Sequence, residues 1–94
     1  MKKCEYKVPG GKLICAKVET QDNKITFLQF TGDFFLLPET DLEYLERNLL
    51  ENSTNPNEIN RKIAKFFKKR RTVIAGAKPE DFAHVLNMAI KESE

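Results

Sequence analysis

Across its 94 residues the chain has one histidine, two cysteines and four glycines, and no apolar run approaches the ~18 residues needed to cross a bilayer. His84 stands alone, and Cys4 and Cys15 lack C-x-x-C spacing, so neither a zinc set nor a redox dithiol can be assembled and no metal site is expected. The phosphate loop G-x-x-x-x-G-K-[ST], the G-x-S-x-G elbow and the H-E-x-x-H pair are all missing. Nothing signals a nucleophile beside a base or a carboxylate pair in a pocket, so no catalytic residue is assigned. The opening Met1-Lys2-Lys3-Cys4-Glu5 leads into a polar strand and not an apolar signal core, which predicts a cytoplasmic protein with no membrane partner.

What is present is ordinary in bulk. With 40% apolar and 32% charged residues, the composition is that of a folded globular chain. Residues 1–94 are expected to form a single domain, burying roughly 60 to 65% of the surface its unfolded chain exposes. Sixteen basic residues against 14 acidic ones give a net charge of +2, too even to imply nucleic-acid binding by itself. Cys4 and Cys15 read as packed thiols, since cysteine usually behaves as a small hydrophobe.

Periodicity divides the chain into strands followed by helices. From Leu13 to Thr20, Ile14, Ala16 and Val18 alternate with Leu13, Cys15, Lys17 and Glu19, the pattern of a half-buried strand. Gln21-Asp22-Asn23-Lys24 is turn chemistry, and the apolar run Ile25 to Phe30 completes a hairpin. Phe27, Leu28 and Phe30 break the alternation, so either both faces of that run are covered or a bulge intervenes. Thr40-Asp41-Leu42-Glu43 fits a capping box ahead of a helix from about Asp41 to Leu50 carrying Leu42, Leu45 and Leu49. Asn55 and Pro56 open a second helix with the stripe Ile59, Ile63, Phe66 and Phe67. Thr72 to Gly76 is a short strand or an extended connector. Pro79-Glu80-Asp81 opens a third helix, on which Phe82, Val85, Leu86, Ala89 and Ile90 form an amphipathic stripe. The fold class this predicts is α+β, two layers, with an antiparallel hairpin sheet and about three helices on one face.

Three stretches invite a functional reading. Gly10-Gly11-Lys12 is either a glycine turn with a solvated lysine, or a place where successive N–H groups and a cation meet a phosphate. In Thr31-Gly32-Asp33-Phe34-Phe35, Gly32 can take positive φ and Asp33 can bond backbone N–H groups two residues on. Of Phe34 and Phe35, one should face the core and the other outward, where it can pack on a partner. Lys65, Lys68, Lys69, Arg70 and Arg71 end the second helix, where cations complement its dipole; they form a solvated face or an electrostatic landing patch for an acidic protein. His84 borders the third helix's stripe and reads as a structural histidine.

Two of these stretches carry a resemblance. Tyr6-Lys7-Val8-Pro9-Gly10-Gly11-Lys12-Leu13 and Phe30-Thr31-Gly32-Asp33-Phe34-Phe35-Leu36-Leu37-Pro38-Glu39 resemble the two signature segments, K-V-x-x-G-K-L and T-G-D-F-F-x-x-P-E, of the C-terminal accessory domain of lipoate-protein ligases. Val73-Ile74-Ala75-Gly76 leading to Pro79-Glu80-Asp81-Phe82 looks like the family's closing segment. The family's large catalytic domain has no counterpart here, so the resemblance implies a separate small subunit forming a heterodimer with a catalytic ligase subunit. Such a complex would use ATP with Mg to activate lipoate to lipoyl-AMP and transfer it to lysines of E2 subunits or the glycine-cleavage H protein. This chain alone would have no activity and bind no cofactor. By the same resemblance, Gly10, Gly11 and Lys12 become candidates for the nucleotide phosphates, and Lys7, Gly32, Asp33, Phe34 and Phe35 for the partner interface. Lys65, Lys68, Lys69, Arg70 and Arg71 are the candidates for docking acceptors, on charge alone.

Two other classes compete. The family's fold also resembles iron-sulfur scaffold and sulfur-acceptor proteins, and a stand-alone scaffold or carrier would need a reactive thiol, for which Cys4 is the candidate. A nucleic-acid binder would use the Lys65 to Arg71 cluster but also needs exposed aromatics among the cations, whereas Phe66 and Phe67 fall in the core stripe, so nucleic acid is not expected as a partner.

Overall fold

The computed structural model describes residues 2–93. Three strands, β1 (Lys2–Lys7), β2 (Leu13–Gln21) and β3 (Lys24–Gly32), form an antiparallel meander in the order β1-β2-β3. Ile14, Ala16 and Val18 point into the core and are fully buried, as the alternation requires. Asp22 (φ 53) and Asn23 (φ 61) supply the paired positive dihedrals of a tight two-residue hairpin turn.

The irregular second run is resolved by a bulge. Glu19 pairs with Phe27 and Thr20 with Ile25, leaving Thr26 as an extra residue whose hydroxyl donates to the Glu19 carbonyl at 3.2 Å. The inserted residue resets the parity, so Ile25 is inward on one side of it and Leu28 and Phe30 on the other, while Phe27 turns out.

Helices α1 (Asp41–Leu49), α2 (Pro56–Arg70) and α3 (Pro79–Ser93) follow. Asn55 caps α2, its side chain accepting from the N–H groups of Asn57 (2.9 Å) and Glu58 (3.3 Å). The capping box expected at α1 does not form. Thr40 already has helical dihedrals (φ −62, ψ −17) in place of the extended ones a capping residue takes, and it makes no side-chain cap bond. Backbone bonds from Asp41 N to Pro38 O and from Leu42 N to Glu39 O start the helix instead. At α3, Asp81 reaches back to accept from the Lys78 N–H at 2.8 Å.

The predicted apolar stripes meet in one core. Phe82 lies at its centre, with ring centroids 5.3 Å from Phe30, 5.0 Å from Phe34 and 5.5 Å from Phe67. α1 runs along the outer edge of β3, where Glu46 Oε2 accepts from the Phe30 N–H at 2.7 Å and occupies a donor the edge strand would otherwise expose. Burial pushes the Glu46 carboxyl up, Glu43 adds to the rise, and the Phe30 amide partly opposes it.

A second, two-stranded ribbon completes the fold. β4 (Phe35–Leu37) pairs antiparallel with β5 (Val73–Ala75), which settles the Thr72 to Gly76 stretch as a strand. No helix among the described residues is long and apolar enough to cross a membrane.

Candidate functional site

The two signature stretches meet at one corner of the sheet. Between β1 and β2 the Val8 N–H donates to Lys12 O (2.7 Å) and the Gly11 N–H donates to Val8 O (2.9 Å), closing a turn that needs positive φ at both Gly10 (108°) and Gly11 (103°). The Gly11 N–H is thereby spent inside the turn. What the turn presents is the exposed Lys12 side chain.

Next to it, the Asp33 N–H donates to Leu13 O at 2.9 Å. Gly32 makes that approach possible, since a Cβ there would lie 2.1 Å from Leu13 O. Gly76, just past β5, closes the corner: its own Cβ would lie 2.8 Å from Asp33 O and 3.6 Å from Lys12 Cγ. Lys7 pairs with Leu13 in the β1–β2 register, so Lys7, Leu13 and Asp33 follow one another across the sheet's end. The Asp33 carboxylate makes no hydrogen bond among the described residues, so the side-chain turn expected of it is absent and its backbone does the anchoring.

From this corner the β4–β5 ribbon extends outward. Leu36 and Ile74 are opposed on its inner face, and Leu36 is buried at 3% exposure. Phe35, Leu37 and Val73 are on the other face, with 71%, 59% and 59% of their surfaces exposed and Leu37 directly opposite Val73. Phe34 is the inward member of its pair, packed edge-on against Phe82, so any contact with a partner there falls to Phe35.

The basic cluster of α2 is divided. Lys65, Lys69 and Arg70 line a groove between α1 and α2, whereas Lys68 lines a cleft between α2 and α3, and Arg71 is the left-handed residue closing α2. Arg70 is not a free cation. Its Nε and Nη2 both donate to Oδ1 of the buried Asp41, at 2.9 and 2.8 Å, while the Thr72 hydroxyl donates to Oδ2. The Arg70 hydrogen bond holds the Asp41 carboxyl below its ordinary value against the opposing effect of burial, with Thr72 and the Arg70 charge assisting.

His84 packs against Tyr6 with ring centroids 4.5 Å apart and the rings tilted by 59°, a packing role. Cys15 is buried and Cys4 half-buried; desolvation pushes the Cys4 thiol up, with Glu92 and Cys15 adding to it, the opposite of what a reactive thiolate needs. Among the described residues no group of three His, Cys, Asp or Glu side chains is placed to hold a metal ion.

Residues 3–86 match the family described as bacterial lipoate protein ligase C-terminus. The chain belongs to that family. A solved structure of an archaeal lipoylation system, a bi-partite lipoate protein ligase and its E2 lipoyl domain from Thermoplasma acidophilum, contains a chain similar to it at 30% identity and a TM-score of 0.79. The similarity covers 89% of this chain and 91% of that one. Among curated proteins no match is found.

For a lipoate ligase C-terminal domain, the notable additions to the residues singled out from sequence are Leu37, Val73, Gly76 and Asp41. Leu37 follows Phe35 at the two-residue strand period and was accessible to that reading. Val73 and Gly76 lie in the closing segment of the resemblance and Asp41 in the capping-box pattern, but their contacts are with partners at least 29 residues away and have no local signal.

Proposed function

We propose that this chain is the accessory subunit of a two-chain lipoate-protein ligase, working in the cytoplasm with a separate catalytic subunit and inactive alone. The observation that carries the reading is the likeness to a chain from the archaeal bi-partite ligase structure, which extends over 91% of that chain. In the proposed complex ATP with Mg and lipoate bind the catalytic subunit. The lipoate carboxylate attacks the α-phosphate, a mixed anhydride forms and pyrophosphate leaves. The ε-amine of an acceptor lysine, on an E2 lipoyl domain or an H protein, then attacks the anhydride carbonyl, forming an amide and releasing AMP.

The Lys12 corner and the adjoining ribbon fit a capping role. Phe35, Leu37 and Val73 would dock on the catalytic subunit, because an apolar strand face of this exposure is costly to leave in water. Docking there would bring Lys12, with Lys7 behind it, to the rim of the nucleotide site as a point charge for the departing pyrophosphate. Gly32, Asp33 and Gly76 would fix the position of that cation through the backbone, and closure over the anhydride would exclude the water that hydrolyses it. The scaffold alternative gains nothing from a half-buried Cys4 whose thiol is held protonated.

The test is lipoylation of an apo E2 lipoyl domain, read by mass spectrometry, with the catalytic subunit alone and with this chain added. Modification that requires both chains supports the reading. Equal modification without this chain refutes it.

A further inference from the structure

We propose that the groove between α1 and α2 is the docking site for an acidic surface of the acceptor protein, an inference that rests on the function proposed above and assigns it a second face. Six cations, Arg47, Arg61, Lys62, Lys65, Lys69 and Arg70, line this groove with only two carboxylates, Asp41 and Glu58. The whole chain has 16 cations against 14 carboxylates. Removing the groove's six and two leaves ten against twelve elsewhere, so the positive charge of the molecule is concentrated here.

The arrangement is not a helix balancing its own charges. Arg61, Lys65 and Lys69 are spaced i, i+4, i+8 along one stripe of α2, where like charges repel and destabilise the isolated helix. No acidic residue of α2 beyond Glu58 offsets them. Arg47 faces them from α1, and the exposed Arg47, Arg61, Lys65 and Lys69 leave their charges to solvent. Lys62 is steadied by Asn52 Oδ1 at 3.0 Å.

The floor of the groove favours a protein over a nucleic acid. The Arg70 guanidinium lies 4.8 Å from the Tyr44 ring centroid and 5.4 Å from that of Phe66, pinned by Asp41. Phe66 is buried, and the Arg70 guanidinium covers one face of Tyr44, whose side chain is otherwise 44% exposed at the groove. A single half-covered ring does not make the series of stacking platforms that a nucleic-acid strand uses, while carboxylates need only the cations. The groove shares no lining residue with the Lys12 corner or the β4–β5 ribbon, so a docked acceptor and a docked catalytic subunit need not compete.

The experiment uses the full chain with its catalytic subunit and an apo E2 lipoyl domain as acceptor. Arg61→Glu with Lys65→Glu is compared with a charge-matched control, Lys3→Glu with Lys91→Glu, all four positions being exposed. The expected result is an acceptor KM raised about tenfold by the groove variant and by less than about twofold in the control, with pyrophosphate release in the absence of acceptor unchanged in both, and a wild-type KM that rises with salt. An unchanged KM in the groove variant, with wild-type ligation intact, overturns the groove while leaving the accessory-subunit reading in place. Absence of ligation with the wild-type pair removes that reading and the groove proposal with it. A single-stranded oligonucleotide that binds the groove and displaces the lipoyl domain would also overturn it, in favour of a nucleic-acid site.

Discussion

Arg70 at the end of α2 reaches back 29 residues to Asp41 at the start of α1, donating through Nε (2.9 Å) and Nη2 (2.8 Å) to a carboxylate that is 1% exposed. The pair locks the two helices and leaves Thr72, at the entrance to β5, bonded to the same carboxylate. Because the Asp41 carboxyl is held below its ordinary value in the folded state, its contribution to stability is full above the unfolded-state value and is lost as pH falls through the folded one. Thermal stability should therefore drop on acidification below about pH 4. Asp41→Asn should lower Tm at neutral pH and flatten that acid limb, measured by circular dichroism across pH. An acid limb of the same depth in the variant would assign the acid sensitivity to other groups.

Phe82 touches Phe30, Phe34 and Phe67 and is fully buried, so it joins the sheet, the Thr31 to Phe35 turn and both long helices. Phe82→Ala should cost about 3–5 kcal/mol through lost burial and the cavity left behind. Set against the ~5–15 kcal/mol available to a typical domain, this would leave the chain marginally folded. Urea titration of the isolated domain measures it, and a loss below about 1 kcal/mol would contradict this placement of the ring.

At Gly32 the constraint is backbone contact. An added methyl would overlap Leu13 O at 2.1 Å in a backbone of φ +146, so Gly32→Ala should destabilise by well over ~1 kcal/mol and displace the Asp33 turn. Gly10→Ala is the comparison, since a Cβ there meets nothing within 4 Å and only the strain of positive φ remains. Gly32→Ala should be the more damaging of the two in urea titration; the reverse order would place the close approach elsewhere.

Legibility in the sequence followed the range of the interactions. The stripe of α3 and the alternation of Ile14, Ala16 and Val18 are local periodicities, and each residue in them is buried. The broken alternation in Ile25 to Phe30 left a bulge and two covered faces equally open, and only the register with β2 decides for a bulge at Thr26. Thr40 misled because a capping-box pattern specifies residue types and not the dihedrals that make them work. The division of Lys65 to Arg71 between a groove, a cleft and a helix end needed the position of α1 and α3. The ribbon's apolar face combines residues from two distant strands, so half of it was invisible until β4 and β5 were paired.

That ribbon gives a prediction separable from stability. Phe35→Ser with Val73→Ser alters side chains that are already 71% and 59% exposed, so the isolated domain should change by no more than about 0.5 kcal/mol per site. Binding to the catalytic subunit should weaken at least about tenfold by calorimetry, as expected when apolar anchors are removed from an interface. Undiminished binding would mean that the subunit docks elsewhere.

Pyrophosphate release from ATP and lipoate by the catalytic subunit, with and without this chain, tests the central claim most directly. Release should appear when this chain is added, and Lys12→Ala should reduce its rate while the complex stays intact by gel filtration. Release at full rate from the catalytic subunit alone would contradict the account.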